Sequence, residues 1–269
     1  MAELGFIGAG NMAGALIKGL IAAKLYKPKA IIASDAVPAQ LKKLKKAYNV
    51  TGTTDNRAVV RAAQTIVLAV KPQILDQVLA EIQPEVTKEK LFISIAAGVT
   101  LRRLENGLGG KARVVRVMPN TPALLGKGIA VVVRGHNAQP KDEKLTVSMF
   151  RGVGEALAVK DEALMDPVTG LSGSGPAYVY LFAEALIAGG VQGGLDAKVA
   201  TQLTYQTLEG AVAMLKETGK PPKELRDMVT SPGGTTLAGL SRLAAGGFTE
   251  TVAAGVAAAT HRSVELGKG

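Results

Sequence analysis

The chain has 269 residues, 47% hydrophobic and 20% charged, a globular composition with room for one large domain or two medium ones. It has no cysteine and only two histidines, His136 and His261, far apart in sequence. That excludes disulfides and thiol nucleophiles and leaves no clustered zinc ligands, so no metal is expected. The net charge is +10, but its densest run (Lys42, Lys43, Lys45, Lys46) has Leu41 and Leu44 at helical spacing. It reads as a solvated helix face able to draw in an anionic dinucleotide or a carboxylate, and nucleic acid is not expected as a partner.

The opening MAELGFIGAG has no basic leader and its apolar run is broken by glycines. No stretch approaches the roughly 20 apolar residues of a membrane span. A soluble, cytoplasmic protein without a membrane partner is expected.

Residues 4–8 are predicted as a strand, and 13–23 as a helix with Leu16, Ile17, Leu20 and Ile21 on one face. Between them lies Gly8-x-Gly10-x-x-Ala13, comprising Gly8, Ala9, Gly10, Asn11, Met12 and Ala13. Gly8 suits a tight turn, Gly10 lets a pyrophosphate approach the backbone, and Ala13 keeps the helix close to the sheet. The helix N-terminus offers unpaired amides to phosphate. A strand before, an amphipathic helix after and a second strand following are the context this fingerprint requires.

The second strand, residues 30–33, leads into Ser34 and Asp35. Asp35 suits the ribose 2′-hydroxyl of NAD, whereas Ser34, with Lys42 and Lys43 nearby, suits the 2′-phosphate of NADP. The two cues point to different cofactors. A basic helix then runs to about Tyr48.

Further strands are expected at 65–70, 91–95, 113–117 and 129–133. Continuous apolar runs such as TIVLAV suit parallel strands buried on both faces. LAVKP (Leu68–Pro72), SIAAG (94–98) and RVMPNTP (116–122), the last carrying Asn120 and Thr121, fall at carboxyl ends of strands, where open α/β sheets bind ligands. Each also reads as an ordinary strand exit. The fold expected for residues 1–160 is α/β, a Rossmann-type doubly wound sheet.

No strand is expected beyond about Lys160, and residues 161–269 read as an all-helical C-terminal dimerisation domain. A helix covers 176–187. Asp196 caps a long helix ending near Lys216, with Gly219 as its stop, and Pro221 and Pro222 open a short helix through Met228. Another helix begins after SPGGTT, and Thr249 caps the last. The long helix carries Val199, Leu203, Leu208, Val212 and Leu215, with Tyr205 and Met214 off that stripe. Apolar on more than one face, it needs more cover than a small domain offers, which points to a homodimer.

SPGGTT comprises Ser231, Pro232, Gly233, Gly234, Thr235 and Thr236. Its glycines free the backbone to present amides at the start of a helix, a cradle suited to a carboxylate. As a pattern it reads equally as a helix-capping turn.

GFIGAGNM, LAVKPQ, AAGVT, MPNTP, SGSGPAY and VTSPGGTTLAGL together resemble the pyrroline-5-carboxylate reductases in order and spacing over essentially the whole chain. The resemblance implies hydride transfer from NAD(P)H to the C=N bond of 1-pyrroline-5-carboxylate, giving L-proline. NADP(H) is favoured, with NAD(H) the other candidate because of Asp35. It also implies a homodimer, often built into larger rings. It assigns cofactor contacts to Gly8 through Ala13, Ser34, Asn56, Ala69, Val70, Lys71, Pro72 and Ala97. The substrate carboxylate falls to the backbone around Ser231, Gly233, Gly234 and Thr235, and the ring nitrogen to Thr236. A β-hydroxyacid dehydrogenase is the rival enzyme. It would want a proton donor, commonly Lys, and neither Lys198 nor Lys216 lies in a glycine-rich motif. A non-enzymatic dinucleotide-binding regulator would leave SPGGTT without a task.

Overall fold

In the computed structural model, residues 2–267 are described. Contacts divide the chain into two compact units: residues through Ser174 together with those from Ala257 onward, and Gly175–Val256.

The first unit is built on β1 (Leu4–Ile7), α1 (Asn11–Ala22), β2 (Ile31–Ser34), α2 (Pro38–Tyr48), β3 (Thr51–Thr53), α3 (Asn56–Ala62), β4 (Thr65–Leu68), α4 (Pro72–Ile82), β5 (Leu91–Ser94) and α5 (Leu101–Gly107). It continues through β6 (Arg113–Met118), β7 (Gly128–Arg134), α6 (Pro140–Arg151), β8 (Gly154–Ala158) and α7 (Met165–Val168). The strands form one eight-stranded sheet in the order β3-β2-β1-β4-β5-β6-β7-β8. Every pairing is parallel except β6 with β7. The order turns outward from β1 in both directions, so β1 and β4 flank a topological switch point, where ligands bind outside the strand ends.

The apolar runs explain the layers. Side chains alternate across a strand, so a parallel strand covered on both faces must be apolar throughout. Leu4, Phe6 and Val67 face one core with Leu16, Ile17 and Leu20 of α1. Ile7, Ile66 and Leu68 face the other with Val59 and Val60 of α3 and Leu75 and Leu79 of α4. Each such fully buried side chain stabilises the fold by about 1.5–3 kcal/mol.

Two strands stand outside the sequence-based expectation, β3 and β8. Both are sheet edges of mostly exposed residues, TGT and GEALA, and carry no apolar run.

The second unit contains α8 (Gly175–Gln192), α9 (Ala197–Thr218), α10 (Pro222–Met228), α11 (Thr235–Ala245) and the beginning of α12 (Phe248–Gly267). Asp196 caps α9 by accepting from the Lys198 amide at 2.8 Å, and Gly219 ends it in the left-handed conformation. The expected cap at Thr249 gives way to an earlier start. Gly247 turns the chain at φ +68°, and α12 opens at Phe248, whose ring packs 5.9 Å from that of Phe182. Only Ala183, Ala200 and Thr204 are buried among this unit's residues.

Candidate active site

In the first unit the site begins at the exit of β1. Gly8 has φ +97°, and a Cβ there would lie 2.6 Å from the Ala69 carbonyl oxygen. Only glycine fits this crossing of two backbones. Gly10 caps α1 with its own backbone, without a side-chain hydrogen bond, and no acidic residue lies in the first turn. A Cβ built on Gly10 meets nothing within 4 Å, so the loop is open on the side where an anion would approach the first-turn amides. Ala13, buried, holds the helix against the sheet. The loop therefore fits a pyrophosphate.

That open side faces a cleft of about 640 Å³. Gly10, Asn11 and Met12 line it from the loop, Ala69, Val70, Lys71 and Pro72 from the exit of β4, and Ala97 from the exit of β5. Sequence reasoning placed all of these at the site. Gln40, Leu124 and Gly173 also line it and were not foreseen. Gln40 and Leu124 sit on a helix and a turn with no motif around them. Gly173 belongs to SGSGPAY, a segment quoted only as part of the resemblance.

Ser34, Asp35 and Asn56, the polar side chains expected at the cofactor, also have partners within the protein. Ser34 is fully buried and its hydroxyl donates to Asn56 Oδ1 at 2.7 Å. Asn56 Nδ2 in turn donates to Glu81 Oε2 at 2.8 Å. Asp35 Oδ2 accepts from the Ala9 amide and Oδ1 from the Val37 amide, each at 2.8 Å. The carboxylate thus ties the glycine loop to the turn after β2.

In the second unit, Ser231–Gly234 form a tight turn, with the Gly234 amide donating to the Ser231 carbonyl at 3.0 Å. Gly233 takes φ +72° and Gly234 caps α11, again without a side-chain hydrogen bond or an acid in the first turn. Thr235 and Thr236 are the first helical residues, so their amides have no intrahelical acceptor. Ser231, Gly233 and Thr235 are exposed, while Gly234 and Thr236 are half-buried. The turn can take a carboxylate on its amides and offers a hydroxyl beside it.

A family model described as pyrroline-5-carboxylate reductase dimerisation matches residues 162–266, and one described as NADP oxidoreductase, coenzyme F420-dependent, matches residues 3–98. The chain is similar to a pyrroline-5-carboxylate reductase of Methanosarcina acetivorans, with 46% identity over 99% of this chain and 98% of the relative. Its likeness to that of Pisum sativum is 42%, over 98% and 95%. Among solved structures, a pyrroline-5-carboxylate reductase from Coxiella burnetii superposes with a TM-score of 0.92 at 38% identity, covering 100% of this chain and 99% of that one. A pyrroline carboxylate reductase from Plasmodium falciparum with NADP bound gives 0.89 at 36%, covering 99% and 98%. With likeness of this degree over its whole length, the chain belongs to the pyrroline-5-carboxylate reductase family.

Proposed function

We propose that the protein reduces the C=N bond of 1-pyrroline-5-carboxylate to L-proline, the last step of proline biosynthesis, using NADP(H). Bound NADPH supplies a hydride to the imine carbon. The chain's own work is binding and orientation. The glycine loop and the amides at the start of α1 hold the pyrophosphate, and the exits of β4 and β5 flank the flat ring. The first-turn amides of α11, after Ser231–Gly234, hold the substrate carboxylate.

When the ring enters as an iminium, the π pair of the C=N bond settles on an already protonated nitrogen. No negative charge develops there, and no strong side-chain acid is needed. Thr236 Oγ1 then accepts a hydrogen bond from the ring N–H and orients the ring; an alcohol is too weak an acid for more. The cleft residues fit that modest demand, since none of the described ones is His or Cys.

Each oxygen of Asp35 accepts from one backbone amide and keeps a second lone pair, so the carboxylate does not itself choose between the two cofactors. The basic surface of α2, with Lys42 and Lys43 exposed, favours the extra phosphate. A homodimer through the second unit fits the matching dimerisation model and the apolar side chains that unit leaves exposed. No helix among the described residues is long and apolar enough to cross a membrane, and we place the enzyme in the cytoplasm.

The observation that carries this reading is the presence in one chain of two acid-free helix starts opened by glycine, one beside a cleft sized for a dinucleotide and one after SPG. The experiment is initial rates with pyrroline-5-carboxylate, comparing NADPH with NADH at equal concentration, for the wild type and Thr236→Ala. Turnover with a preference for NADPH is expected, and a fall of about tenfold or more in kcat/KM for the variant, as for loss of one positioning hydrogen bond. No turnover with either cofactor would defeat the function. A fully active variant would remove Thr236 from the mechanism.

A further inference from the structure

Asn120 lies two residues past the end of β6, after Pro119, and lines the cleft, and no contact proposed above uses it. Its side chain is committed at both ends. Nδ2 donates to the Ser172 carbonyl at 3.1 Å, and Oδ1 accepts from the Ile129 amide of β7 at 3.0 Å. The first bond spans 52 residues and reaches an unusual element. Thr169–Gly173 is a π-helical turn, with the Ser174 amide bonded to the Thr169 carbonyl five residues back at 2.9 Å. Such turns are wider than an α-helix, displace the regular acceptors and are frequent at functional sites. Here the Ser172 carbonyl takes its donor from Asn120.

The turn also presses on the strand end. A Cβ on Gly173 would run into Cε of Met118, so the turn packs directly on the tip of that side chain at the end of β6. Met118, Asn120 and Gly173 together make the β6 side of the cleft. In a sheet of this order, β2 and β3 serve the adenosine half of a dinucleotide, and β4 to β6 serve the other mononucleotide. The wall that Asn120 fixes is therefore on the nicotinamide side.

We infer that Asn120 is a positioning residue for the nicotinamide half of the cofactor. Its carboxamide pins the 169–173 turn to β6 and β7 and so sets the width of the cleft where the reactive ring stands. This rests on the dinucleotide reading of the cleft. A merely structural asparagine would not distinguish the two halves of the cofactor; a positioning one does.

The test is equilibrium binding of two probes to the full-length protein: NADPH by its fluorescence, and 2′,5′-ADP, which lacks the nicotinamide half, by calorimetry. Asn120→Ala is expected to weaken NADPH about tenfold, the equivalent of one net hydrogen bond, while 2′,5′-ADP stays within about twofold. Asn120→Asp, nearly isosteric, keeps the acceptor for Ile129 and loses the donor to Ser172. It should show the same selective loss at pH 8, and it serves if the alanine variant does not fold. Equal weakening of both probes, or of neither, overturns the inference. A wild type that binds neither probe defeats the dinucleotide reading beneath it instead.

Discussion

Asp35 carries a negative charge to the end of β2, where two functions compete for it. A carboxylate there commonly accepts from the ribose 2′-hydroxyl of NAD. Here it accepts from the Ala9 and Val37 amides, and charge-assisted bonds of this kind are stronger than neutral ones. Ala9 is buried, so its amide has no easy access to water if the acceptor is removed. Asp35→Ala should therefore loosen the glycine loop and raise KM for NADPH and NADH alike, by about tenfold for the one lost bond. Steady-state KM values for both cofactors check this; a rise confined to NADH would make Asp35 a ribose ligand instead. The chemistry of Ser34, Asp35 and Asn56 was legible in the sequence, but not its direction. Apart from the Val37 amide beside Asp35, their partners lie 22 to 26 residues away, and which donor turns toward which acceptor is decided only when β1, β2, α3 and α4 pack.

Elements were legible where burial on two faces wrote a continuous apolar run. The strands that position the cleft are of this kind, and the expected boundaries lie within one or two residues of the observed ones. Edge strands escape because only one neighbour pairs with them and their side chains face water, which removes the pattern. The helices of the second unit were legible from their ends, such as Asp196 and Gly219, since capping is local chemistry. The turn at Thr169–Gly173 had no signal, because π geometry follows from packing and not from residue type. Within the glycine fingerprint, the two glycines separate by mechanism. Gly8 combines φ +97° with a crossing of the β1 and β4 backbones, whereas Gly10 has an ordinary φ of −73° and open space for a Cβ. Gly8→Ala is expected to lose at least about 1–3 kcal/mol of stability from backbone strain alone, and dinucleotide binding with it. Gly10→Ala should unfold within about 0.5 kcal/mol of the wild type yet bind dinucleotide poorly, because its methyl fills the anion approach. Denaturant unfolding and fluorescence titration of both variants separate these outcomes. A stable Gly8→Ala, or a Gly10→Ala that binds normally, would contradict the assignment.

For the whole molecule, the question is what stabilises the helices of Gly175–Val256. Ordering a backbone costs about 1–2 kcal/mol per residue, and burial must offset it. Within this unit only Ala183, Ala200 and Thr204 are buried, whereas Leu181 is 66% exposed, Leu203 53%, Tyr205 60% and Val229 66%. Small residues such as Gly190 and Ala200 let α8 and α9 approach closely but bury little apolar surface by themselves. The missing burial has to come from another chain, and the dimerisation model that matches residues 162–266 makes a second copy the occupant. On that proposal the unit has no stable folded form as a monomer, so folding and association are one equilibrium. The apparent Tm should then rise with protein concentration, measurably across a hundredfold range. Leu203→Asp, which places a charge among the exposed apolar side chains of α9, should shift the protein toward smaller species with reduced helical circular dichroism. Dinucleotide binding at the glycine loop would then fall less than turnover, because that loop and its cleft lie in the unit with its own core. Sedimentation equilibrium alongside calorimetry provides the check. A concentration-independent Tm, or a fully helical and active monomer, would mean that the exposed apolar surface of the second unit is stable in water by some other route.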